Sequence, residues 1–260
     1  MFEEMKARLD LLPGDISVYL KNMASGETFA YNANRELNAA SVIKVPVMLE
    51  AYRAGCAGEI DLNERLTIRR EDIMPSCGVL NQLSLQSMSI SDLVTLMIIV
   101  SDNTAANLLI DRLGMDQINR TLRAQGLKKT TLRRKLFDAV PAAQGIQNTI
   151  TAGEIGILME KICTFDSVTR SPDQDRRMLQ ILSAQRLNGK IPFYLHGRYI
   201  VAHKTGEDDG ITHDAGIVLQ KDTGKPVCVM SFASEHTCVP DFERVIQDFS
   251  RDFTAWCEKK

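Results

Sequence analysis

Three short strings carry most of the chemistry open to this sequence: Ser41-Val42-Ile43-Lys44, Ser101-Asp102-Asn103 and Lys204-Thr205-Gly206. In the first, a serine and a lysine sit one helical turn apart, so their side chains share a face of a helix. A serine hydroxyl is a weak nucleophile until a base takes its proton. Lys44 becomes such a base only when burial or a nearby cation lowers its pKa. Lys204 is the candidate cation, provided that the fold carries it across a cleft. A helix N-terminus at Ser41 would add backbone N–H donors aimed at a developing oxyanion. Ser-x-x-Lys alone is expected about once by chance in a chain of this length, as a capping serine beside an exposed lysine. Ser-Asp-Asn and Lys-Thr-Gly are each expected well under roughly one time in ten on the same arithmetic. The three together, in this order, form a strong signal.

The surrounding pattern says how these strings are held. Residues 1–12 read as a helix stopped at Pro13-Gly14. Ile16, Val18 and Leu20 alternate with polar neighbours as in a strand, and Ser25-Gly26 turns it back through residues 27–31 as a hairpin. From Val42 to Tyr52 the period becomes helical, ending near Gly55, with Pro46 tolerated only in the first turn. Ser41 is therefore expected at or near a helix start. Residues 56 to about 195 carry helical patterns, among them 89–100, with Ser91-Asp92 near its start, and 104–113, ended by Gly114. Ser101-Asp102-Asn103 joins those two. Strand spacing returns over 199–203, 214–220 and 227–232, and residues 240–258 close the chain as an amphipathic helix through Phe242, Val245, Ile246, Phe249, Phe253 and Trp256. Strands at both ends with helices between imply an α/β (α+β) fold: a five-stranded antiparallel sheet, flanked by terminal helices, with a helical lobe inserted. Residues 1–260 read as one domain, with an α/β lobe over 1–40 and 196–260 and a helical lobe over 41–195.

Composition narrows the function classes. A chain of 260 residues, 44% hydrophobic and 25% charged, is an ordinary globular protein able to bury a large core. A net charge of −2 offers no field for nucleic acid or an anionic membrane. The densest basic run, Leu132-Arg133-Arg134-Lys135, reads as a solvated turn beside a helix. No apolar stretch is long enough to span a bilayer, and residues 1–6 show no basic start before an apolar run. Six cysteines without C-x-x-C spacing read mostly as core fillers in a reduced compartment. A cytoplasmic protein is the expectation, or a secreted one if the N-terminus has been trimmed. His196, His203, His213 and His236 lack metal-ligand spacing, and surface or strand-capping roles suit them better. For His213-Asp214, a strand-edge hydrogen bond is preferred to an acid–base pair. No G-x-S-x-G, P-loop or G-x-G-x-x-G appears.

The three strings, over nearly the whole chain, resemble the penicilloyl serine transferase superfamily, nearest its class A β-lactamase branch. The resemblance implies Ser41 as nucleophile, Lys44 as its base, and Ser101 as relay of a proton to the departing amide nitrogen. Asn103 would hold the substrate's side-chain amide and Lys44. Lys204 and Thr205, with Gly206 beside them, would meet a substrate carboxylate, and the N–H groups of Ser41 and Glu207 would form the oxyanion hole. Asp102 would brace its loop through backbone hydrogen bonds. No cofactor or metal is called for. The partner is a small β-lactam or a peptide-like amide.

Two departures qualify the resemblance. Class A enzymes activate the deacylating water with a glutamate in an Arg-x-Glu-x-x-x-Asn loop, and the corresponding stretch here is Arg134-Lys135-Leu136-Phe137-Asp138-Ala139-Val140-Pro141. Asp138 is the only carboxylate between Asp116 and Glu154. It is either a shifted substitute for that glutamate or a loop brace, and bracing is preferred because its shorter side chain is out of register. Glu207 follows Lys-Thr-Gly where relatives have a small or hydroxyl residue. With Asp208 and Asp209 it forms an acidic rim expected to weaken anionic substrates. The expectation is a serine hydrolase with impaired deacylation. A penicillin-binding-protein-like DD-peptidase or esterase, and a sensor or trap that stays acylated, remain alternatives.

Overall fold

The computed structural model describes residues 1–259. Helix α1 (Phe2–Asp10) is followed by the hairpin β1 (Asp15–Asn22) and β2 (Thr28–Tyr31), with Val18 opposite Tyr31. A two-residue strand β3 (Leu37–Asn38) leads into a 3-10 turn over Ala40–Ile43 and then α2 (Lys44–Cys56). Strands β4 (Arg65–Thr67) and β5 (Ser87–Ser89) pair with one another, and α3 (Ile90–Ile99), α4 (Asn103–Leu113) and α5 (Met115–Ala124) follow. The short α6 (Ala139–Ala143) sits in a loop, β6 (Thr149–Ile150) pairs with β3, and α7 (Ala152–Cys163) and α8 (Pro172–Ser183) complete the middle of the chain. Strands β7 (Tyr199–Asp208), β8 (Ile211–Gln220) and β9 (Pro226–Glu235) then run as a meander into α9 (Val239–Cys257).

The five long strands form one sheet in the order β2-β1-β9-β8-β7, antiparallel throughout. Their alternation gives the sheet two apolar faces. Val18, Leu20, Met230 and Phe232 pack with Phe242, Ile246, Phe249 and Phe253 of α9 and with Met5 and Leu9 of α1. Ala202, Ile217 and Val229 look the other way, into a larger core shared with α2 and the helices around it. Helix α2 is buried on nearly every side, as expected of a helix hydrophobic all round. That placement matters for function, because it draws Lys44 out of water together with the apolar residues that follow it.

The differences from the sequence expectations are local and have physical reasons. Strand β7 runs on to Asp208, past the expected end at residue 203, so Lys204-Thr205-Gly206 is strand rather than loop. Its polar run hid the period because those side chains are buried against other polar groups. Helix α3 follows its expected span closely, with Ser89 as the capping residue, its hydroxyl accepting from Asp92 N–H at 3.1 Å. The stretch over 41–195 also holds β4, β5 and β6, too short for a readable period, and α7 packs on the sheet against β1, β8 and β9. His203 and His213 are buried rather than at the surface, and Cys56, Cys77 and Cys238 are exposed rather than core fillers. No helix among the described residues is long and apolar enough to cross a membrane.

Candidate functional site

Ser41 lies within the 3-10 turn, one turn ahead of α2, because the helix proper opens at Lys44. Pro46 is the third residue of α2, where its missing N–H breaks no intrahelical bond. Ala40 takes a left-handed φ of 39°, which sharpens the entry and presents Ser41. Strand β7 closes on this turn at Gly206: a Cβ there would come within 3.1 Å of Val42 and 3.3 Å of Ala40. A side chain there would have to push these neighbours back by a few tenths of an ångström, so glycine eases the approach of β7, and of Glu207 on it, to the turn that carries Ser41.

Lys44 is fully buried and ringed by oxygens. Its Nζ lies 3.0 Å from Ser41 Oγ, 3.0 Å from Ser101 Oγ, 2.8 Å from the Ser101 carbonyl and 2.7 Å from Asn103 Oδ1. Four acceptors exceed the three protons of an ammonium. With two N–H groups on the two shortest contacts, a neutral amine would keep its lone pair for a hydroxyl proton at 3.0 Å. Burial first, and then the charge of Lys204, hold Lys44 well below the usual lysine range. Lys204 donates to the Thr205 carbonyl at 2.7 Å and to Ser101 Oγ at 3.1 Å. Burial also dominates there; Asp214 opposes it and Lys190 reinforces it, so Lys204 falls to about 7. Ser101 Oγ therefore stands between two lysine nitrogens. Its backbone has φ 57°, a strained value for serine that aims both its carbonyl and its hydroxyl at Lys44.

Asp102 holds this loop in place. One carboxylate oxygen caps α4 by accepting from Ala105 N–H at 2.9 Å, and the other accepts from Val79 at 2.7 Å and Leu80 at 2.9 Å. Gly78 passes so close, with φ 115°, that a Cβ would collide with that carboxylate. Asp102→Ala leaves three backbone donors without their acceptor. It is expected to lower stability by about 3 kcal/mol, read as a shift of the urea-unfolding midpoint.

The serine opens onto a cleft of about 300 Å³ whose walls include Asn38, Cys77, Asn103, Leu136, Asp138 and Glu207. One wall is a loop over residues 134–148, pinched at its neck. Asn148 Oδ1 accepts from the N–H groups of Arg133 and Arg134, and Arg134 donates to Gln147 Oε1 at 2.6 Å. The basic run at 132–135 is thus a loop closure, with Lys135 paired to Asp111 at 3.0 Å. Within the loop, Asn107 bonds both the N–H and the carbonyl of Leu136, which fixes that residue against the cleft. Asp138 lines the cleft too, but its carboxylate makes one hydrogen bond, a long 3.3 Å contact to Val140 N–H at the start of α6.

The remaining candidates fall into place around this centre. Thr205 is buried beside Lys204 on β7. The side chains of His213 and Asp214 part company: His213 Nε2 donates to the Asn38 carbonyl at 2.8 Å, while Asp214 meets His203 at 2.8 Å. Burial depresses His213 to about 4, so it is neutral and supports the strand before Ser41. The acidic rim is in part neutralised, because Glu207 pairs with Lys190 at 2.9 Å. Sequence reasoning missed Lys190, and it read Cys77, which lines the cleft, only as one of the cysteines; neither lies in a recognisable string. No cluster able to hold a metal occurs among the described residues.

A model of the beta-lactamase enzyme family matches residues 2–257. Among solved structures, the beta-lactamase from Sphaerobacter thermophilus DSM 20745 is 28% identical with a TM-score of 0.90, over 100% of this chain and 97% of that one. PBP-A is also 28% identical, with a TM-score of 0.88 over 100% and 96% of the two chains. A leucine-to-glutamate variant of PBP-A, solved as an acyl-enzyme complex with penicillin G, matches equally well at 28% and 0.88. An ancestral class A beta-lactamase shares 23% identity and a TM-score of 0.85, over 96% of each chain, a likeness of fold.

Proposed function

This chain belongs to the beta-lactamase enzyme family, serine hydrolases acting on amide bonds, and from that premise we propose that it works by a class A-like acyl-enzyme route whose second half is slow. The observation that carries the first half is Ser101 Oγ lying 3.0 Å from Lys44 Nζ, with Ser41 Oγ at the same distance from that nitrogen. Lys44 takes the proton of Ser41 as its oxygen attacks the carbonyl carbon of a β-lactam or peptide-like amide. The N–H groups of Ser41 and Glu207 receive the oxyanion. As the C–N bond breaks, Ser101 gives its proton to the leaving nitrogen and regains one from Lys44. Asn103 holds Lys44 and the amide of the acyl side chain, and Thr205 with Lys204 orients the leaving side. Lys44, Ser101, Asn103 and Lys204 are fixed in advance by burial and hydrogen bonding, so little reorganisation opposes the step.

Hydrolysis of the acyl-enzyme needs a further base to hold a water. On the register set by Arg134, Leu136 occupies the place of the class A glutamate, and Asp138 is engaged in capping α6. These two facts support a long-lived acyl-enzyme, and with it a penicillin-binding-like enzyme rather than an efficient β-lactamase. The penicillin G acyl-enzyme of a PBP-A variant is in keeping with the acylation half of this reading. Labelling with a fluorescent penicillin is the test. One covalent label per chain is expected, lost in Ser41→Ala; labelling of that variant at another residue would refute the assignment.

A further inference from the structure

Beside the catalytic strand lies a cation that the reaction does not use. Lys190 comes from the segment between α8 and β7, and its side chain is only 3% exposed. Its Nζ donates to the His213 carbonyl at 3.1 Å and the Gly206 carbonyl at 3.4 Å. The Glu207 carboxylate lies 2.9 Å away, and that of Glu243 on α9 lies 3.8 Å away. Glu207 is 61% exposed and lines the cleft. A buried ammonium thus meets the cleft through a carboxylate supplied by the protein itself. Asp208, on the same wall, adds a second negative charge.

A substrate carboxylate entering here would find the Lys190 charge already taken and would face Glu207 and Asp208. Like charges brought together in a partly desolvated cleft repel strongly, and one added or removed unit charge a few ångströms away changes affinity about tenfold. From this geometry we infer that Glu207, held by Lys190, is a specificity determinant that turns the enzyme towards acyl donors whose leaving side is uncharged or cationic. The inference rests on the acyl-transfer function proposed above and adds the class of substrate.

The charge of the pair can be stepped through three values. It is neutral in the wild type, positive in Glu207→Gln and negative in Lys190→Met. The measurement is the rate of Ser41 adduct formation, by intact mass, with benzylpenicillin and with its uncharged methyl ester. The ratio of the two rates cancels any general damage to the site, including a shift of the backbone at Glu207. The free-acid to ester ratio should rise about tenfold in Glu207→Gln and fall in Lys190→Met. Adducts with both compounds but an unchanged or lower ratio in Glu207→Gln would overturn the specificity role and leave the function standing. No Ser41 adduct with either compound would overturn the function, and this inference with it.

Discussion

Replacing Lys44 by methionine is expected to slow acylation of Ser41 by about 10²–10⁴-fold, the usual cost of losing a positioned base. Methionine fills similar volume in a buried site, so the fold should persist while the proton acceptor 3.0 Å from Ser41 Oγ is gone. The pH dependence follows from the same geometry. Two lysines share Ser101 Oγ, and burial with mutual repulsion disfavours charging both. The base is the neutral amine, so its population grows as pH rises. Burial and the neighbouring Lys204 hold Lys44 well below the usual lysine range, so the wild-type rate should climb with pH and level off once that amine has lost its proton. Stopped-flow acylation rates between about pH 5 and about pH 9 provide the check. A flat profile, or a rate that survives Lys44→Met, would contradict the assignment of Lys44 as base.

Leu136→Glu should have the opposite effect, on the opposite half-reaction. Leu136 borders the cleft, and Asn107 pins its backbone on both sides, so a carboxylate placed there is held close to the ester. Supplying the missing base is expected to speed release of the acyl group by about 10²-fold, with acylation little changed. Asp138→Asn, by contrast, should alter the lifetime only slightly, since that carboxylate is a helix cap. Pre-steady-state mass spectrometry separates the two steps in each variant. A large loss of turnover in Asp138→Asn would instead make Asp138 the hydrolytic base.

The candidate centre was legible because its chemistry is local in sequence. Ser41 and Lys44 share a turn, and Ser101, Asp102 and Asn103 are consecutive, so residue types alone announced them. The supports were not legible, since they are single residues brought in from far away. Lys190 reaches Glu207 across seventeen positions and His213 across twenty-three, with no string to mark the meeting. The left-handed backbone at Ser101 is equally silent, because nothing in Val100-Ser101-Asp102 requires it before Lys44 arrives from another helix. Sheet edges misled for a related reason: burial in β7 passes from apolar to polar partners at Lys204, and a hydrophobic period cannot follow that change.

The central claim is that Ser41 is acylated faster than the acyl group is released. Its most direct test is a time course of the intact protein's mass after brief exposure to benzylpenicillin and removal of the excess. The account predicts a mass gain of one penicillin, located on Ser41 by peptide mapping, that decays much more slowly than it forms. A mass that never rises, in protein that nonetheless destroys penicillin rapidly, would contradict it.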